Sequence, residues 1–112
     1  MARKSPKLTV SYTGLARFTL AEIWDWNAER HDPDHADAYV AFLEDQADKL
    51  GSTYDKGKAI AVRPDYRYVT IRRSSRGHGH LIIYLVTESS VEILAFLHTR
   101  QDWQGKIKRG EV

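Results

Sequence analysis

Hydrophobic and polar positions recur along this chain at two periods, and the places where the period changes divide it into elements. Leu8-Thr9-Val10-Ser11-Tyr12 alternates apolar and polar, which predicts a strand with one buried face. Gly14 ends it. A helical period follows. Ala16, Leu20, Ile23, Trp24 and Asn27 share one face, and Leu15, Phe18 and Trp26 lie to its side. That apolar arc is wide for a helix with one buried face. Either both sides pack within the fold, or one meets a partner. Asp32-Pro33 stops this helix and starts another. Asp32 suits the N-cap, where its carboxylate accepts from free first-turn amides, and Pro33 suits the first helical position. Asp34 adds a favourable charge there. The second helix is predicted to reach about Leu50, with Ala36, Tyr39, Val40, Leu43, Ala47 and Leu50 on one side and Gly51 as terminator. The short junction predicts an antiparallel helical hairpin.

Residues 51–65 read as a polar connector with a brief extended piece at Ala59 to Val62. From Tyr66 to Arg73 the two-residue period returns. Arg67, Val69 and Ile71 face one way, and Tyr68, Thr70 and Arg72 the other. Ser74 to Gly79 is a turn. Leu81 to Thr87 is almost continuously apolar, as a central strand covered on both faces should be. Glu88-Ser89-Ser90 links it to a last strand, Val91 to His98. There Val91, Ile93, Ala95 and Leu97 are expected on one face, and Glu92, Leu94, Phe96 and His98 on the other. The order β-α-α-β-β-β predicts an α+β fold in which a helical hairpin packs on a largely antiparallel sheet.

Composition narrows the class. A chain of 112 residues suffices for one domain, expected over residues 8–104, with a flexible extension at 1–7 and a frayed basic tail at 105–112. Hydrophobic content of 42% and charged content of 29% exclude a disordered chain. Without cysteine there is neither a disulfide framework nor a thiolate zinc site. No apolar stretch follows the charged N-terminus, and the longest apolar run is far too short to cross a bilayer. A cytoplasmic protein without a membrane partner is expected. His78 and His80 flank Gly79 at the spacing of a crude metal pair, but no third ligand is evident, so no metal or cofactor is expected. His31 and His35 straddle the helical turn as surface groups.

Charge is uneven although the net is only +2. Residues 1–50 carry six Lys/Arg against nine Asp/Glu. Residues 51–76 carry seven basic groups against Asp55 and Asp65, a net of +5. Such a segment attracts a polyanion or an acidic protein surface, unless it is simply a solvated face.

Five pieces in order carry a family resemblance: Ala21-Glu22-Ile23-Trp24, Asp65-Tyr66-Arg67, Gly79-His80-Leu81-Ile82-Ile83-Tyr84, Val91-Glu92-Ile93-Leu94, and His98-Thr99-Arg100-Gln101-Asp102. Over residues 8–104 the chain resembles the ParE/RelE superfamily of toxins from type II toxin–antitoxin pairs, and the ParE branch most. The resemblance implies a folded toxin held inactive by a smaller, partly disordered antitoxin. That partner wraps a helical or extended segment around the hairpin and sheet. Leu20, Trp24 and Trp26 are the expected antitoxin-binding residues, with a core role the alternative for both tryptophans. Tyr66, Arg67, Tyr84, His98, Arg100 and Asp102 fall on the family's structural motif. Within its His-x-Arg-x-Asp pattern, the His98 imidazole and Arg100 are expected to be held against Asp102.

Two mechanisms occur in the superfamily. ParE-type members bind DNA gyrase and stall it, which needs no catalysis. Arg63, Arg67, Arg72, Arg73 and Arg76 are the target-binding candidates for that reading. RelE-type members are endoribonucleases that cut messenger RNA on the ribosome. That reaction needs a proton-transfer group and positive charge on the phosphate, for which Arg67, Arg72, His80 and His98 are the candidates. The lysine- and arginine-rich RelE-like cluster is not clearly matched, so gyrase inhibition is the leading expectation, with the ribonuclease and a non-toxic binding relative as alternatives.

Overall fold

The sheet has spatial order β1-β5-β4-β3-β2. In this computed structural model, which describes residues 7–73 and 79–112, the chain runs β1 (Thr9–Tyr12), α1 (Gly14–Arg30), α2 (Pro33–Thr53), β2 (Lys58–Ile60), β3 (Arg63–Ile71), β4 (His80–Val86), β5 (Ser90–His98) and α3 (Trp103–Lys108). β1 pairs parallel with β5, and the other pairings are antiparallel. The expected α+β order holds, with β2 and α3 added to it.

β4 is the middle strand, and its unbroken apolar run is explained by the two layers it serves. Ile82 and Tyr84 pack under the hairpin with Ala16, Leu20, Leu43 and Ala47. Leu81 and Ile83 face the opposite side, with Ile60, Tyr66 and Ile107. The hairpin forms as its caps require. Asp32 accepts from the His35 amide at 2.7 Å, and Pro33 opens α2.

Three local expectations are corrected. The first concerns β5. Its pairing passes from Ile83↔Ala95 to Tyr84↔Ile93, which leaves Leu94 as an extra residue in a bulge. The bulge reverses the phase of everything after it. Phe96 therefore joins Val91 and Ile93 under the hairpin, while Ala95 and Leu97 face away.

The second correction concerns Gly51, which does not end α2. The helix continues to Thr53, and the Gly51 carbonyl accepts from the Leu8 amide at 2.8 Å. A Cβ at this position would sit 2.6 Å from the Leu8 carbonyl oxygen. Glycine is required by the close approach of the chain entering β1.

The third concerns the C-terminal residues, where the structure has a helix in place of a frayed tail. Asp102 caps α3 by accepting from the Gly105 amide at 3.2 Å. Ile107 is 1% exposed, and the Trp103 ring lies 4.8 Å from that of Tyr68. Burying these side chains on the second face of the sheet outweighs the poor intrinsic stability of a six-residue helix.

Two threonines join α1 to the sheet. The Thr13 hydroxyl caps α1 by accepting from the Ala16 amide at 3.1 Å and donates to the Leu94 carbonyl at 3.1 Å. The Thr19 hydroxyl accepts from the Phe96 amide at 3.0 Å and donates to the Ala16 carbonyl at 2.9 Å. Where β1 stops at Tyr12, α1 takes over that side of β5.

Candidate functional site

The outer side of α1 is apolar and uncovered. Leu15, Phe18 and Trp26 are 36%, 61% and 53% exposed. Together with Glu22 they sit at helical positions three and four apart, so they form one stripe along the helix. The Arg30 guanidinium lies over the Trp26 ring, 4.5 Å from its centroid. This stripe borders a groove of about 1020 Å³, lined also by Phe96 and Leu97 of β5, Lys106 of α3 and, beyond that helix, Glu111 and Val112.

One end of the groove is ionisable. His31, His35, Tyr39, His80 and His98 line it, with Arg73 and Arg100. His80 is 8% exposed and shares a 2.6 Å hydrogen bond with the Tyr39 hydroxyl. The His98 ring meets it edge-on at 5.1 Å. Burial, reinforced by His98, pushes the His80 pKa down to about 4, so this imidazole is neutral near pH 7. Burial raises the Tyr39 hydroxyl above its ordinary value, and Arg73 opposes that shift. His98 fastens the turn after β5. Its Nδ1 accepts from the Arg100 amide at 3.0 Å, and its own amide donates to Gln101 Oε1 at 2.7 Å. Asp102 has turned towards α3, where it caps the helix and pairs with Arg109 at 3.6 Å. The expected hold of Asp102 on His98 and Arg100 is thus replaced, because the residues beyond it fold.

The basic candidates separate. Arg67 is half-buried and donates from Nη1 to the Gly57 carbonyl at 3.0 Å. Beside it the buried Tyr84 hydroxyl donates to the Tyr54 carbonyl at 2.8 Å, and a Cβ on Gly57 would collide with that hydroxyl. Arg67 and Tyr84 therefore tie the connector after α2 to the sheet. Arg63 stacks over Tyr66 at 4.2 Å and pairs with Asp65 at 3.3 Å, at the opposite end of β3 from Arg73. Arg72 and Arg73 are exposed. Arg76 and His78 lie outside the described residues. Arg67 pairs with Tyr84 while His80 pairs with Ile71, four residues further along β3, so Arg67 and His80 stand about 13 Å apart along the ladder. Arg67, Arg72, His80 and His98 do not converge on one point.

The expected antitoxin-binding residues also separate. Leu20 is 8% exposed and belongs to the core. Trp24 is half-buried, and its indole N–H donates to Asp37 at 2.8 Å, joining α1 to α2. Trp26 remains on the open side, joined by Leu15 and Phe18. Their spacing of three and four along α1 was the available signal. The opposite wall had none, since it depends on α3. Among the described residues no group of His, Asp or Glu could hold a metal ion, and no helix is long and apolar enough to cross a membrane.

Residues 10–103 match the family described as the ParE toxin of the type II toxin–antitoxin system parDE. The chain is 33% identical over 89 residues to the toxin ParE1 of Mycobacterium tuberculosis strain CDC 1551, an alignment that covers 78% of this chain and 85% of that protein. The ParE1 toxin of strain H37Rv matches to the same extent. A solved structure described as the chromosomal ParDE TA system from P. aeruginosa shares the fold, with a TM-score of 0.71 at 20% identity, over 84% of this chain and 98% of that one. The chain belongs to the ParE family of type II toxin–antitoxin toxins.

Proposed function

We propose that this toxin inhibits DNA gyrase by binding it in the cytoplasm, and that a cognate antitoxin neutralises it by laying a segment into the groove beside α1. The observation that carries the antitoxin half is the stripe of Leu15, Phe18 and Trp26, which stays exposed in the described fold. A partner segment that folds on docking gains from burying such side chains. The fold match to a structure described as a ParDE system agrees with a partner of this kind.

Action by binding is supported by the chemistry of the candidate groups. His80 is a buried, weak base held by the Tyr39 hydroxyl, and Arg67 is engaged by the Gly57 carbonyl. A ribonuclease would need these groups free to move a proton or meet a phosphate. No observation favours that alternative.

Expression of the toxin alone, with gyrase supercoiling and message integrity followed in parallel, tests both halves. The expected result is growth arrest, loss of supercoiling activity and accumulation of cleaved DNA, with messages intact. Coexpression of the adjacent gene's product should restore growth. Cleaved messages with unimpaired gyrase would reject the gyrase reading.

A further inference from the structure

Groups at the groove's ionisable end touch in series. Tyr39 bonds His80, His80 meets His98, and the His98 ring accepts from the Arg100 amide, while Arg73 lines the same groove. Arg73 and Arg100 are exposed, and neither forms an ion pair among the described residues. The other charges of the groove differ. Lys106 and Glu111 pair with each other at 3.8 Å, and Glu111 also pairs with Arg109. Within the apolar stripe, between Phe18 and Trp26, Glu22 stands exposed.

We infer that the segment filling this groove is selected by charge: it presents a carboxylate to Arg73 and Arg100 at the histidine-lined end and a basic side chain to Glu22. This rests on the antitoxin reading and specifies its chemistry. Apolar contacts along Leu15, Phe18 and Trp26 would hold almost any amphipathic segment. Two exposed guanidiniums with no ion pair among the described residues are different. A wholly apolar occupant would cover them and strip their water without replacing it, whereas a carboxylate replaces it with charge-assisted hydrogen bonds. Discrimination between partners therefore falls on Arg73, Arg100 and Glu22.

The occupant's backbone is constrained as well. The amides of Phe96 and His98, on the open side of β5, are already taken by Thr19 and Gln101. A strand added there would find those donors filled, so a helix, whose backbone bonds are internal, is the form that fits. The stripe from Leu15 to Trp26 spans about 17 Å, or roughly three helical turns.

The test uses the full-length toxin and the full-length product of the adjacent gene, with affinity measured at 50 and 300 mM NaCl. Wild-type toxin is expected to bind, more weakly at the higher salt. Arg73→Glu combined with Arg100→Glu should weaken binding at least 100-fold. A Lys replacing the responsible carboxylate in the partner should recover at least tenfold of that loss. Lys58→Glu, outside the groove, is the control and should leave affinity unchanged. Circular dichroism and thermal melting of each variant establish that it is folded.

Binding of the double reversal equal to that of the Lys58→Glu control overturns the inference and leaves the antitoxin reading standing. No binding by the wild type overturns both. Displacement of the partner from wild-type toxin by a single-stranded oligonucleotide, with that competition lost in the double reversal but partner affinity unchanged, overturns the inference in favour of a nucleic-acid site.

Discussion

The two sides of α1 are built from similar residues and do opposite things. Its inner side carries Ala16, Thr19, Leu20 and Asn27, all buried, and Thr19 reaches the backbone of β5. Its outer side carries Leu15, Phe18 and Trp26, all exposed, and Trp26 is met there by the guanidinium of Arg30. Phe18 is as hydrophobic as Leu20, yet only one of them helps to fold the chain. The difference shows that apolar character on a helix states a need for cover, and the surrounding topology decides whether the chain itself supplies it.

Three measurements sharpen or break that contrast. Leu20→Ala on the inner side should lower folding stability by about 2–5 kcal/mol in urea or thermal unfolding, because it empties a filled site in the core. A loss under 1 kcal/mol would place Leu20 with the outer stripe.

The second measurement uses acid. His80 is neutral in the fold with its pKa near 4, against an ordinary 6.5 once unfolded. Between those values the unfolded chain binds the extra proton. The His80 contribution is therefore complete above about pH 6.5 and is lost as pH falls towards 4, by roughly 3 kcal/mol in total. The groups facing this ring are Tyr39 from α2 and His98 from β5, with Arg73 acting on Tyr39. Urea unfolding at pH 7, 5.5 and 4.5 should show the decline, and His80→Gln should flatten it. An equal decline in the variant would assign the acid sensitivity elsewhere.

The smallest effect belongs to the outer side. Phe18→Ala should change stability by no more than about 0.5 kcal/mol, while weakening capture of the adjacent gene's product. A large stability loss would mean that the stripe is structural.

Legibility in the sequence varied with what each signal could distinguish. The Asp32-Pro33 junction and the apolar run of β4 each admit few structures, and both formed as read. Alternation from Val91 to His98 fits a regular strand and a bulged one equally well, so the shift at Leu94 awaited the pairing with β4. Gly51 illustrates a second ambiguity. A helix terminator and a close backbone approach both call for glycine, and only the position of Leu8 separates them. α3 has six residues, too few for a period to declare itself. The candidate site inherits these gaps. The width of the α1 arc was visible, but only the packing of α1 on the sheet shows that Leu20 goes in and Phe18 stays out. The groove's far wall needed both the bulge and α3. Asp102 reads as an ion-pair partner for Arg100 until α3 exists to be capped.

The threonine contacts to β5 have one more consequence. An unpaired strand side with open amides is a template on which identical chains stack into fibrils. Here the hydroxyls of Thr13 and Thr19 occupy that template beyond Tyr12, and the flanking strands β1 and β2 are only four and three residues long. The molecule can leave an oily stripe bare for another protein while denying its own copies a ladder to climb.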